Sequence, residues 1–337
     1  LLIGRMMPIA LGAKDKEERL SVIKSTGVYN PQYHDLIELA KKHERIHWTE
    51  DEVKLQKDVE QWKTGIITDE EKALITNILR LFTQQDFDVS GGYYDKLIPV
   101  FKNNDVRAML GSFAAREFIH VRGYALLSDT LGMGQEFYHE FLEYAEMKAK
   151  HEYFVESIGN SYSEIGGYIA KQVFLEGVSL FASFAILLNF DRLGKLPGMC
   201  DLNKWSILDE FLHAEGLAKL FRVFTEEHPR IVNDEWKKEI YETARTVVSL
   251  EDKFIDKTFS MGGVSNLDPK DVKKYIRYIA DYRLKQLGLK PNWHIKENPL
   301  PWVDWLTGTT FGNFFEREIF EYSKANLQGS FAEGYPS

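Results

Sequence analysis

The chain has 337 residues, 44% of them hydrophobic, enough to bury a sizeable core in one large domain or two ordinary ones. Its formal net charge is -9, and its basic residues are scattered rather than gathered into a stripe, which argues against nucleic acid as the main partner. A single cysteine, Cys200, excludes an intrachain disulfide, a thiolate zinc site and an iron-sulfur cluster, so any metal must be held by oxygen and nitrogen.

The first seven residues lack the pattern of a signal peptide. Residues 177–190 form the longest run without charge and fall short of the ~18 to 20 residues that span a bilayer. The expectation is a cytoplasmic protein with no membrane segment. Residues 1–29 show no clear periodicity beyond a charged segment around Lys14 to Arg19 and read as an arm. Asn30-Pro31, a capping side chain followed by proline, opens a helix to about Ile46. After a connector at residues 47–50, a polar amphipathic helix runs to about Trp62. Thr68 and Glu71 have the spacing of a capping box, and Leu74, Ile75, Ile78, Leu79 and Leu81 repeat helically behind them. That helix carries Asp86 and meets Gly91-Gly92, which should bend or end it.

Asn104 or Asp105 caps the next helix, which runs to near Gly132. Residues 135–157 are helical in pattern but heavily charged, and 163–190 form the most apolar helix. Residues 196–201 read as a loop, with Asp201 or Asn203 capping the helix that follows. Two amphipathic helices cover about 232–260 and 269–287. Beyond Pro291 the pattern is irregular until a last helical stretch at 313–324. No period-2 run of strand length appears, so the fold class is all-α, in one domain from 30 to 325 with a short tail at 326–337.

Four Glu-x-x-His spacings occur, at Glu44/His47, Glu117/His120, Glu136/His139 and Glu210/His213. With 51 acidic residues and 9 histidines, one or two are expected by chance, so context must select among them. Glu44/His47 lies in a charged run, and Glu136/His139 stands among further acids. Glu117/His120 and Glu210/His213 are embedded in apolar helix, where charged groups are costly unless paired or bound to metal. Glu176, between Val173-Phe-Leu and Val178-Ser-Leu-Phe, raises the same question. Asp86 and Asp88 are about 200° apart in helical phase, so at most one faces inward. Two Glu-x-x-His helices and two single-carboxylate helices make the donor set of a dinuclear site in a four-helix bundle. Tyr124 lies four residues beyond His120 on the same face, one turn from that site.

With these residues the sequence resembles the small, radical-generating subunit of class I ribonucleotide reductase, a ferritin-like helical bundle. The resemblance runs from about 30 to 325. It rests on Asp86, on Glu117 and His120 followed by Tyr124, on Glu176-Gly177 and on Asp209-Glu210-Phe-Leu-His213. It extends to Trp48, to Asn298-Pro-Leu-Pro-Trp302, and to Asn313-Phe-Phe-Glu316 with Glu321-Tyr-Ser-Lys324. The ungapped spacing from Asp86 through Ile98-Pro99 to Tyr124 favours Asp86 over Asp88. What the resemblance implies is a metal site of Asp86, Glu117, His120, Glu176, Glu210 and His213 holding two Fe, two Mn or a mixed pair. It implies Tyr124 as the stored radical and Trp48 with Asp209 as the relay, with Tyr335 the relay candidate in a tail shorter than the family's. It also implies a large catalytic subunit as partner, a homodimer, and a flavoprotein as one route for delivering the oxidant. Two rival readings share the ligands: a ferritin-like oxidase acting on a small or lipid substrate, and an iron-storage bundle.

Overall fold

The computed structural model describes residues 20–308 apart from residue 26. Tyr335, the 313–316 and 321–324 motifs and the tail lie outside the described residues. Among those described there are helices and no strand.

The chain runs through α1 (His34–Arg45), α2 (Gln56–Lys63) and α3 (Asp69–Gly91), then a π-helical segment (Gly92–Leu97) and a short α4 (Ile98–Val100). It continues through α5 (Asn104–Thr130), a 3-10 segment (Gln135–Glu143), α6 (Ala145–Phe154) and α7 (Tyr162–Phe174). A second π segment (Leu175–Ser179) joins α7 to α8 (Phe181–Arg192); α9 (Pro197–Glu227), α10 (Asp234–Met261), α11 (Pro269–Gln286) and α12 (Pro301–Thr307) follow. The core is built by α3, α5, α7 with α8, and α9, which pack on one another. The run from Tyr162 to Arg192 is long and apolar enough by composition to cross a membrane, but its apolar window is wholly buried inside the bundle.

The capping box forms as its spacing predicts: Glu71 N donates to Thr68 Oγ1 at 3.2 Å and Thr68 N to Glu71 Oε2 at 2.9 Å. Gly91-Gly92 does not end the helix; the chain widens into a π turn. A Cβ at Gly92 would stand 2.1 Å from Gln172 Nε2, so glycine leaves room in the π segment for the end of the Gln172 side chain of α7. Several caps come from elsewhere than expected. Asn103, rather than Asn104 or Asp105, caps α5 by accepting from Asp105 N at 2.9 Å. The Asp105 carboxylate instead accepts from Gln32 N and Tyr33 N at 2.7 and 2.9 Å, and α1 starts at His34.

The 196–201 stretch is not a loop. It is the first turn of α9, begun by Pro197, and the buried carboxylate of Asp58 accepts from Gly198 N at 2.9 Å and Met199 N at 2.8 Å. A cap 140 residues away along the chain leaves no local signature. Residues 135–143 form 3-10 helix rather than α-helix, and α12 adds a helical turn within a stretch that reads as irregular. Asp86 and Asp88 are both buried, because α6 covers the second side of α3: Asp88 Oδ2 pairs with His151 Nδ1 at 2.6 Å.

Replacing Asp58 by alanine orphans two buried amides at the start of α9 and is expected to cost about 2 kcal/mol in urea unfolding. Asp201→Ala, at the exposed cap position that the local sequence suggests, should change stability by less than about 0.5 kcal/mol.

Candidate metal centre

Each helix of the core brings its donors inward by the same rule, residues three, four or seven apart sharing a face. Helix α3 contributes Asp86, α5 contributes Glu117 and His120, the π segment contributes Glu176, and α9 contributes Glu210 and His213. All six are buried, none more than 1% exposed. Glu44, His47, Glu136 and His139 are exposed and distant from them in role, as their charged surroundings suggest.

The donors form two overlapping sets. Asp86, Glu117, His120 and Glu210 make one and Glu117, Glu176, Glu210 and His213 the other, the atoms of each lying within 4.8 Å of one another. His120 Nδ1 is 3.4 Å from Glu117 Oε2 and 3.0 Å from Glu210 Oε1. His213 Nδ1 is 2.7 Å from Glu117 Oε1 and 3.4 Å from Glu210 Oε2. Glu117 and Glu210 therefore each turn one oxygen toward His120 and the other toward His213. Asp86 serves only the first half and Glu176 only the second.

Both histidine Nδ1 atoms, both oxygens of Glu117 and of Glu210, Asp86 Oδ2 and Glu176 Oε2 are buried without a hydrogen-bond partner. They sit near one another, yet none is placed to hydrogen-bond another. Buried polar atoms in this state need an explanation, and a pair of divalent ions taking hard oxygen and imidazole nitrogen supplies one. Burial by itself would strip the proton from both imidazoles, but the charge of Glu117 outweighs it; His120 is pushed well up and His213 up to about 10. Burial pulls Glu117 upward, yet the two histidines bring it down to about 2. Burial, with the charge of nearby carboxylates, pushes Asp86 and Glu210 well above the usual carboxylate range. Cations entering the site therefore displace protons.

Around the donors lies a layer of oriented side chains. Asp209 Oδ2 is 3.0 Å from His120 Nε2 and accepts from Trp48 Nε1 at 2.8 Å; Arg116 Nη1 donates to both Asp209 oxygens at 3.0 Å. Burial would raise the Asp209 carboxyl, but the His120 hydrogen bond and the charges of His120 and Arg116 hold it below its ordinary value. The Trp48 ring stacks on His120, centroids 5.6 Å apart and planes 14° apart. Tyr124 is fully buried, its hydroxyl donating to Asn203 Oδ1 at 3.2 Å and its ring 4.5 Å from that of Phe82. Burial and the charge of Asp86 push its pKa well up, keeping the phenol protonated.

Four members of this layer escape a search for metal-binding motifs. Tyr93 donates its hydroxyl to Glu176 Oε1, and His43 lies 3.1 Å from His213, Nε2 to Nε2. Arg116 and Asn203 complete the set. Helical phase contains the signal for three of them: His43 follows Leu36, Leu39 and Ala40 on the buried face of α1, Tyr93 is seven residues beyond Asp86, and Asn203 seven before Glu210.

Residues 26–299 match the family model described as ribonucleotide reductase, small chain. A probable ribonucleoside-diphosphate reductase small subunit of Invertebrate iridescent virus 3 is 40% identical over 307 residues, covering 85% of this chain and 81% of that one. Among solved structures, the Rnr4 homodimer of Saccharomyces cerevisiae shares the fold at a TM-score of 0.71 and 20% identity, over 90% of this chain and 92% of the other. The dimanganese(II) NrdF of Streptococcus sanguinis does so at 0.72 and 18% identity, over 84% and 99%.

The shared carboxylates generate an expectation for metal titrations of purified, chelator-stripped protein. Mn(II) should bind with two equivalents per chain and raise stability by about 2.7 kcal/mol per site at a free concentration 100 times Kd. Asp86→Ala should weaken one equivalent, and Glu117→Ala both, as read by calorimetry.

Proposed function

The chain belongs to the ribonucleotide reductase small-chain family, the radical-generating subunits of the class I enzyme, and on that premise we propose that Asp86, Glu117, His120, Glu176, Glu210 and His213 hold two Fe or Mn ions whose oxidising equivalent is stored on Tyr124. Once bound and treated with an oxygen-derived oxidant, such ions supply a one-electron oxidant beside the phenol. Tyr124 gives up one electron and one proton. The Asn203 amide oxygen orients the phenol but is too weak a base to keep that proton, and Asp86 is the carboxylate whose charge bears on Tyr124 most. Burial shields the resulting phenoxyl from solvent reductants.

The observation that carries this reading is the continuous contact path His120, Asp209, Trp48. Trp48 is 5% exposed and its ring also meets Trp205 at 5.5 Å, so the path runs from a ligand toward the outside of the bundle. Electrons leave a cysteine of the large catalytic subunit by way of Trp48 to refill Tyr124, and the cysteine so oxidised begins the reduction of ribonucleotides to deoxyribonucleotides. An oxidase working alone on a small or lipid substrate has no use for such a path. Delivery of the oxidant by a flavoprotein fits the same chemistry.

The homodimer is assigned to a face of α3, the first π segment and α5. Phe87, Tyr94, Phe118 and Leu126 are 55%, 43%, 38% and 38% exposed, and the Tyr94 and Phe118 rings touch at 6.0 Å. Exposed large apolar side chains on neighbouring helices are what an interaction surface offers.

Tyr124→Phe is expected to bind both metals yet lose the organic radical signal in electron paramagnetic resonance and to drop to the activity of the large subunit alone. Full activity in that variant would move the stored oxidant to the metals. Trp48→Phe should retain the radical signal and lose turnover. Phe118→Asp should shift the protein from dimer to monomer in light scattering.

A further inference from the structure

His43 belongs to neither donor set, yet its ring stands directly behind the second. It is 1% exposed, with the ring of Phe113 edge-on at 5.1 Å and the His213 ring on its other side, a setting in which an added positive charge is costly; the neutral imidazole carries one N–H. Two nitrogens 3.1 Å apart, His213 Nε2 and His43 Nε2, need one donor and one acceptor. If His43 carried its hydrogen on Nε2, a neutral His213 would have to carry its own on Nδ1, blocking the atom that faces Glu117, Glu176 and Glu210. Asp209 Oδ1, at 3.5 Å, is too far to take a good hydrogen bond from His43 Nε2 and already accepts from Arg116 Nη1 at 3.0 Å. On the other side, His43 Nδ1 lies 2.8 Å from Ser112 Oγ, which can take its hydrogen.

We propose that His43 is the positioning residue of His213: His43 Nδ1–H donates to Ser112, its bare Nε2 accepts from His213 Nε2–H, and His213 is thereby held with a free Nδ1 turned to the second metal position. The inference rests on the dimetal reading of the site. It makes the two halves unlike, His120 leaning on an ionised aspartate and His213 on a neutral imidazole. Outer partners of this kind fix the tautomer and ring angle of a ligating histidine.

The test uses the whole chain. Long-range nitrogen-proton spectra of histidine-labelled wild type, metal-free and loaded with Zn(II), should show His43 protonated on Nδ1 and, with Zn(II), His213 on Nε2 alone; a hydrogen on His43 Nε2 overturns the proposal whatever the variants do. Mn(II) titrations read by the signal of the free ion should show His43→Leu weakened about 10- to 100-fold at one of two equivalents. His43→Gln, whose amide both accepts and donates, should restore most of that affinity. Wild-type binding of both equivalents by the leucine variant, or a folded glutamine variant as weak as leucine, overturns it as well. Failure of the wild type to bind two Mn(II) ions would count against the dimetal reading itself, leaving the tautomer to judge His43.

Discussion

Six ionisable side chains, four carboxylates and two imidazoles, are gathered at no more than 1% exposure into two overlapping sets, the atoms of each within 4.8 Å of one another. Such a cluster is unfavourable by itself: its groups have been taken out of water, and the carboxylates repel one another. The surrounding helices resolve the conflict by geometry. Glu117 and Glu210 are placed between the two imidazoles, and Asp209, His43 and Tyr93 tie down one atom each of His120, His213 and Glu176, leaving the remaining atoms of these groups unsatisfied within the cluster. A bundle that merely packed well would have no reason to gather eight unsatisfied polar atoms of six ionisable side chains in one place.

Rigidity at that centre comes from connections that are long in sequence. Asp58 closes the start of α9, Asp105 holds the approach to α1, and Arg116 ties α5 to the α1 exit through the Ile46 carbonyl at 3.1 Å as well as to Asp209. The π segment that carries Glu176 has its own supports. A π turn breaks the regular pattern of intrahelical bonds, and here buried cations meet the carbonyls concerned: Arg283 Nε donates to Gly177 O at 3.2 Å and Lys150 Nζ to Ser179 O at 3.1 Å, with Glu251 paired to Lys150.

The helices and the inward-facing donors were legible because both depend on local rules. Capping-box spacing placed the start of α3, apolar context separated the Glu117/His120 and Glu210/His213 pairs from Glu44/His47 and Glu136/His139, and the two helices after residue 230 fall where periodicity puts them. What could not be read locally is what another helix supplies. Asp58 caps a helix to which it does not belong, Asp105 holds the two residues that precede α1, and Asp88 is paired with His151 of α6. His43 is an intermediate case. Its charged neighbours suggested surface, while its phase relative to Leu36, Leu39 and Ala40 put it inside, and phase decides.

The π segment between α7 and α8 has a consequence for how the chain can vary. Each residue of an α-helix turns the next by about 100°, and a π turn absorbs one more residue than the regular helix would. In the grammar of insertions and deletions, residues 175–179 are a single-letter insertion that the fold has made indispensable. Conservative exchanges of Val178 or Leu175 alter packing by a few atoms. Loss of one residue there would restore a regular helix with α8 still in phase, but it would change the direction in which Glu176 leaves the helix axis and so part it from His213. Length, more than composition, is what this segment must preserve.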